Sequence, residues 1–233
     1  MKQLLVRLIL YPSMKRVLVG KIVNPNQLMR GRFTKKKVNE IYKLTLSNLQ
    51  NHLVEIEFTN FQTNGNRLMV FLAAASVACY QAILSEKVPE EWAKQLFSEV
   101  GWDVYAKLSS PYIAFAKIRF RHPQEQLNLF INMLCKFPFS QDKNGYQYRV
   151  WKEENKLCTD WFQCAPLNYI KSLDNPDLLE MFKESWCKYD FALPQLLNEN
   201  GRYERPSTLS HGGEVCNMRW YSDKNDIDDL KLT

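Results

Sequence analysis

The sequence predicts an α+β fold, an N-terminal helical half packed on a small antiparallel sheet that ends in a C-terminal hairpin. Three observations predict it. Apolar side chains recur at three- and four-residue spacing through much of residues 1–137. After Pro138 the texture changes to alternating runs, of which YQYRVWKEE is the first. Two further runs flank His211-Gly212-Gly213, the kind of junction that turns one strand back on another. The 233 residues are read as one domain, with 1–137 mainly helical, 138–222 containing sheet and the candidate site, and 223–233 a charged tail expected to fray.

Taken in order, Leu4 to Val23 suggest a helix with a turn, closed by Asn24-Pro25-Asn26. Residues 38–60 read as a second helix, and Asn64-Gly65-Asn66 as a turn after it. RLMVFLAAASVACYQAILSEK is apolar on most faces and predicts a central buried helix, with Cys79 as a small core hydrophobe. VPEEWAKQLFSEVGW repeats the helical signal, with Pro89 at its first turn and Gly101 near its stop. HPQEQLNLFINMLCKF predicts an amphipathic helix whose cap region holds His122. Asp142-Lys143-Asn144-Gly145 reads as a turn, and NKLCTDWFQC extends or pairs with the strand that follows it. SLDNPDLLEMFKESWCKYDFALPQLL is helical, with Asn175-Pro176 as cap and first-turn proline. No internal repeat or low-complexity tract is present.

Hydrophobic residues at 45% and charged residues at 24% argue against extensive disorder. The formal charge of +6 gathers near the N-terminus, at Lys15, Arg16, Arg30, Arg32 and Lys35-Lys36-Lys37. A solvated face is the favoured reading of that run, and peripheral membrane contact the lesser one. With no zinc-finger, RRM or KH pattern, no nucleic-acid partner is expected. The first residues resemble a signal peptide only superficially, because Arg7 splits the apolar run, Pro12 follows it and no small-x-small site ends it. No segment reads as an uncharged apolar stretch long enough to span a bilayer, and a cytoplasmic location is expected. The six cysteines are expected as free thiols. None is spaced C-x-x-C and only three histidines exist, so no metal or other cofactor is expected.

There is no GxGxxG, Walker loop, HExxH or GxSxG motif. Reactive side chains instead concentrate late in the chain, at Cys158, Asp160, Cys164, Cys187, Asp190, Thr208, His211 and Cys216. Cys187 and Asp190 stand at i and i+3 of a predicted helix and so share a face. The plain alternatives stay open. Cys187 also fits a buried hydrophobe, Cys216 and Thr208 ordinary strand residues, and His211 a turn residue.

Cys164, the stretch WCKYD with Cys187 and Asp190, and RPSTLSHGGEVCNMRW together resemble the signature of the L-2-amino-thiazoline-4-carboxylic acid hydrolase family. The resemblance spans residues 66–221 and is best after 156. It implies hydrolytic opening of a small cyclic amidine, with water or a thiolate adding to the ring carbon between nitrogen and sulfur. On that basis Cys164 or Cys187 is the nucleophile, Asp190 the acid or base, and Thr208 and Cys216 belong to the same catalytic set. Arg205 or Arg219 would fork the substrate carboxylate, and His211 would also meet the substrate. Two positions depart from the family, whose Cys-Asp-Phe-Arg is here Cys216-Asn217-Met218-Arg219, and the weightier is Asn217, where a carboxylate has become an amide. The resulting expectation is a hydrolase-like enzyme acting on a thiazoline-like or related C–N bonded small molecule in a biosynthetic pathway. The alternatives are a non-catalytic small-molecule binding module and, more weakly, a metal site of Cys164, Cys187, Cys216 and His211.

Overall fold

The computed structural model describes residues 6–19, 33–153 and 155–222. Arg30, Arg32 and the 223–233 tail lie outside the described residues. The fold is α+β, with helices first and a four-stranded antiparallel sheet after them. Contacts divide the chain into two compact units that interleave along the sequence.

The first unit takes Met1–Phe58, Val70–Lys107 and Tyr169–Trp186. A π-helical turn, Val6–Leu10, leads into α1, Tyr11–Leu18. Pro12 sits in the first turn of α1, where a missing N–H forfeits no helical bond. Helix α2, Lys35–Glu55, starts at Thr34, whose hydroxyl accepts the Lys37 N–H at 3.1 Å. Helix α3 spans Asn64–Leu84 and α4 spans Glu90–Arg119. Met14, Leu18, Ile41, Phe71, Tyr80 and Phe97 are among the fully buried side chains that fill this core. Asp103 is buried there too, paired with Arg16 and with Lys107, whose ammonium lies 2.7 Å from it.

Three expectations are corrected. Asn64-Gly65-Asn66 is not a turn but the first turn of α3, because the Thr63 hydroxyl caps it by accepting the Asn66 N–H at 3.2 Å. Gly101 does not stop its helix, since α4 continues through it and through Pro111 to Arg119. A helical glycine costs only about 1 kcal/mol, and the buried stripe of Leu96, Phe97 and Val100 outweighs that. Finally, α3 is long and apolar enough to cross a membrane, and 67% of its most apolar window is buried within the fold. Near-continuous burial makes a core helix as greasy as a spanning one.

The second unit takes Thr59–Met69, Leu108–Asn168 and Cys187–Thr233. Helix α5, Pro123–Lys136, follows His122 at its cap position and buries Leu127, Phe130 and Leu134. The Asp142–Gly145 turn closes with the Gly145 N–H bonded to the Asp142 carbonyl at 3.1 Å. Strands β1 (Gln147–Glu153), β2 (Lys156–Gln163), β3 (Arg202–Glu204) and β4 (Cys216–Tyr221) stand in the order β1-β2-β4-β3. The hairpin exists, with Tyr203 opposite Trp220, but residues 205–215 make its connection long and include a 3-10 turn, Leu209–His211. Helix α6, Ala165–Ser172, was not foreseen, and the predicted long helix after it is divided into α7, Pro176–Glu184, which belongs to the first unit, and α8, Trp186–Ala192, all but its first residue in the second. Asn175 caps α7 as expected, and the break falls at Ser185.

Strand alternation sorts the sheet residues. Leu157, Thr159 and Trp161 on β2 face the same way as Cys216, Met218 and Trp220 on β4, and all six are buried. The opposite face carries Arg149 and Trp151 on β1, Cys158 and Asp160 on β2, and Asn217 and Arg219 on β4.

Candidate functional site

Three pieces of the second unit build the site: the residue before α6, one face of α8, and the long connection from β3 to β4. Cys164 precedes α6, its carbonyl accepting the Asn168 N–H at 3.0 Å and its sulfur the N–H of Leu167. Cys187 and Asp190 lie one helical turn apart on α8 and face Arg205 together. The Arg205 guanidinium donates to the Cys187 carbonyl at 2.7 Å and stands 3.4 Å from the Asp190 carboxylate.

The connection is held in shape by its own backbone. The N–H groups of His211 and Gly213 both reach the Thr208 carbonyl, at 3.2 and 3.0 Å. Gly212 adopts φ 86°, a conformation that L side chains resist. A Cβ on Gly213 would sit 3.0 Å from the Thr208 carbonyl oxygen, closer than packing tolerates. These constraints give the Thr-Leu-x-x-Gly-Gly spacing a physical reason. Asn217 fixes the other end by accepting the Ser207 N–H at 2.7 Å. An aspartate would accept the same bond, so the departure at Asn217 falls on a loop anchor.

Inside this frame the thiols meet hydroxyls. The Cys187 thiol donates to the Ser210 hydroxyl at 3.4 Å. The Thr208 hydroxyl lies 3.2 Å from that of Ser210 and 3.3 Å from the Cys216 sulfur, which also accepts the Leu209 N–H at 3.2 Å. The Ser210 hydroxyl is 3.2 Å from Nδ1 of His211, whose ring is exposed. Cys187, Cys216 and Asp190 are close enough to disfavour ionisation of Cys164, and Asp190 and Cys216 that of Cys187.

Burial dominates the electrostatics. It pushes the Cys164 thiol well above its ordinary value, helped by Cys187, Cys216 and Asp190 and opposed by the Leu167 N–H. It pushes Cys187 up to about 11 against the pull of the Ser210 bond and the Arg205 charge. It also raises the Asp190 carboxyl to about 6, despite Arg205 and the neighbouring Tyr203 hydroxyl. A carboxyl there can give or take a proton near neutrality.

Of the residues singled out from sequence, Cys164, Cys187, Asp190, Arg205, Thr208, His211 and Cys216 come together. Arg219 does not. Three positions along a strand reverse the face, so it points away from Cys216 and donates to Asp160 at 2.9 Å, stacking on Trp151. Arg205 joins the cluster, but its side chain is only 6% exposed and committed to Asp190 and the Cys187 carbonyl, which leaves it a scaffold for α8. Cys158 and Asp160 lie on the far face with Arg219. All six cysteines are free. Among the described residues no group of three His, Cys, Asp or Glu side chains is arranged to hold a metal ion, so the proposed set with His211 does not form one.

Sequence reasoning missed Ser210 and Tyr203. Ser210 links both thiols to His211, and only its place beside Thr208 and His211 in the motif pointed to it. Tyr203 is buried, and its hydroxyl lies beside the Asp190 carboxyl, whose anion it favours. An open cleft of about 450 Å³ elsewhere in this unit is lined by Gln62, Gln141, Asp142, Lys143, Gln147, Tyr148 and Phe162, none of them in the thiol cluster. No protein family, curated protein or solved structure matches this chain.

Proposed function

We propose that this chain is a thiol-dependent hydrolase that opens a small cyclic amidine of the thiazoline type. The observation that carries the reading is the meeting of three free thiols with a carboxyl raised to about 6, drawn from segments distant in sequence. Such a gathering of half-buried, partly satisfied polar groups is a poor way to fill a core. It suits covalent catalysis.

Cys187 is the nucleophile in this reading, since it ionises more readily than Cys164. Its thiolate adds to the amidine carbon, and Asp190, protonated below about 6, gives its proton to the departing ring atom. Water then cleaves the thiol adduct and returns the proton. Thr208 and the Leu209 N–H hold the sulfur of Cys216 at the second position of the cluster. The resemblance to aminothiazoline-carboxylate hydrolases supports the same substrate class.

The test is incubation of the purified protein with 2-aminothiazoline-4-carboxylate, followed by mass spectrometry for the gain of water. Cys187→Ala should lower turnover by about three orders of magnitude or more. Undiminished turnover in Cys164→Ala, Cys187→Ala and Cys216→Ala alike would end the thiol mechanism.

A second reading, a non-catalytic small-molecule binder, is favoured by the cleft lying apart from the thiols. Asp190→Asn separates the two, because a binder keeps its affinity for the probe whereas the hydrolase loses turnover.

A further inference from the structure

We propose that Ser210 is a proton relay that couples the Cys187 thiol, and through Thr208 the Cys216 thiol, to the surface imidazole of His211. Its catalytic use rests on the thiol-hydrolase reading, although its geometry does not.

Counting donors fixes the direction of the chain. The Ser210 hydroxyl owns a single proton and can accept two bonds. Its neighbours are the Cys187 sulfur at 3.4 Å, the Thr208 hydroxyl at 3.2 Å and His211 Nδ1 at 3.2 Å. The relay takes the His211 tautomer protonated on Nε2, in which Nδ1 can only accept and the Ser210 proton goes to His211. The two lone pairs of Ser210 then accept from Cys187 and Thr208. Thr208 in turn accepts from the Cys216 thiol at 3.3 Å, while the Leu209 N–H supports that sulfur. Every proton along the chain points toward His211.

The transfer balances within the protein. The Cys187 S–H bond breaks as its proton joins the Ser210 oxygen, and the Ser210 proton moves to Nδ1. A thiol and an imidazole become a thiolate and an imidazolium, with the serine restored. Cys187 needs such a base, because burial, Asp190 and Cys216 disfavour its thiolate, against the Ser210 bond and the Arg205 charge. Burial, the largest influence on it, leaves the thiol at about 11 even with the Ser210 bond and Arg205 pulling it down. His211 suits the outer end because its exposure lets it exchange the proton with water. One imidazole serves two thiols, so the relay ionises one at a time.

The test follows iodoacetamide alkylation of the full chain, resolved by residue with peptide mass spectrometry, from about pH 5 to about pH 9 across the imidazole range. In the wild-type protein the Cys187 alkylation rate should rise with an inflection inside this range that depends on His211. His211→Ala and Ser210→Ala should each remove that inflection and slow Cys187 by about tenfold or more at neutral pH. Ser210→Thr keeps the hydroxyl and should keep the inflection. An unchanged Cys187 profile in His211→Ala would overturn the relay. His211 is exposed, so circular dichroism should report an intact fold for that variant even if Ser210→Ala does not fold. If Cys187→Ala abolishes turnover while the alkylation profile ignores His211, the relay is wrong and the hydrolase stands. If the inflection depends on His211 but turnover ignores Cys187, the reverse holds.

Discussion

Asp160 and Asp190 are both carboxylates set against arginine in the same unit, and they are tuned in opposite directions. Burial pushes each upward. At Asp160 the hydrogen bonds of Arg149, at 2.6 and 3.1 Å, and of Arg219, at 2.9 Å, overcome it and hold the carboxyl below its usual range. At Asp190 a single guanidinium 3.4 Å away does not, and the carboxyl rises to about 6. The number and closeness of charged donors, more than the presence of an arginine, decide whether a carboxyl stays an anion or becomes a proton donor. One face of the sheet thus carries an ion cluster, and the connection beyond β3 brings Arg205, Thr208 and Ser210 to the thiols and the raised carboxyl of α8.

The sharpest break of that comparison is at Arg205. Arg205→Met should cost about 3 kcal/mol, because it strips the half-buried Asp190 of the guanidinium beside it and the Cys187 carbonyl of its donor. Chemical denaturation measures the loss, and carboxyl NMR should find Asp190 titrating higher still. Next comes the pH dependence of Asp190 itself. Its folded value lies above the unfolded one, so the folded state holds the proton longer and stability falls as pH rises from about 4 to about 6. That loss is on the order of 2 kcal/mol, and the difference in melting temperature between wild type and Asp190→Asn should move in favour of the variant across this window. A difference that is flat with pH would mean Asp190 is not raised.

Asp160→Asn should cost about 1.5 kcal/mol, since it removes the shared anion from two arginines that remain partly hydrated. Its penalty should vanish in acid, where the wild-type carboxyl is protonated too, which is the opposite pH trend to Asp190. Smallest is Arg149→Met, expected within about 0.5 kcal/mol because that side chain is 65% exposed. A large effect there would mean that Asp160 depends on Arg149 more than on Arg219.

Much of this was legible in residue order. The helices with wide apolar stripes, the switch to sheet after Pro138 and the Asn175-Pro176 cap all carry local signals that packing reinforces. Gly101 and Asn64-Gly65-Asn66 misled because their breaking tendency is worth little against burial and a threonine cap. Helix α6 was hidden by its length, eight residues directly after a strand. In the site, Cys187 and Asp190 were found by helical spacing. Arg219 was misplaced because strand parity was not applied between it and Cys216. Ser210 could not be found, since its contacts depend on a 3-10 turn that sets a common residue between the Cys187 thiol, the Thr208 hydroxyl and the His211 imidazole.

The interleaving of the two units bears on how the chain is made. The first draws on Tyr169–Trp186, and the second closes only with β4 near the end of the described residues. A ribosome would release most of the helices before either unit had its last piece. The very apolar α3 would meanwhile stand exposed to chaperones and to membrane-targeting factors. Folding yield in the cell should therefore respond to translation speed late in the message more than to codons near its start.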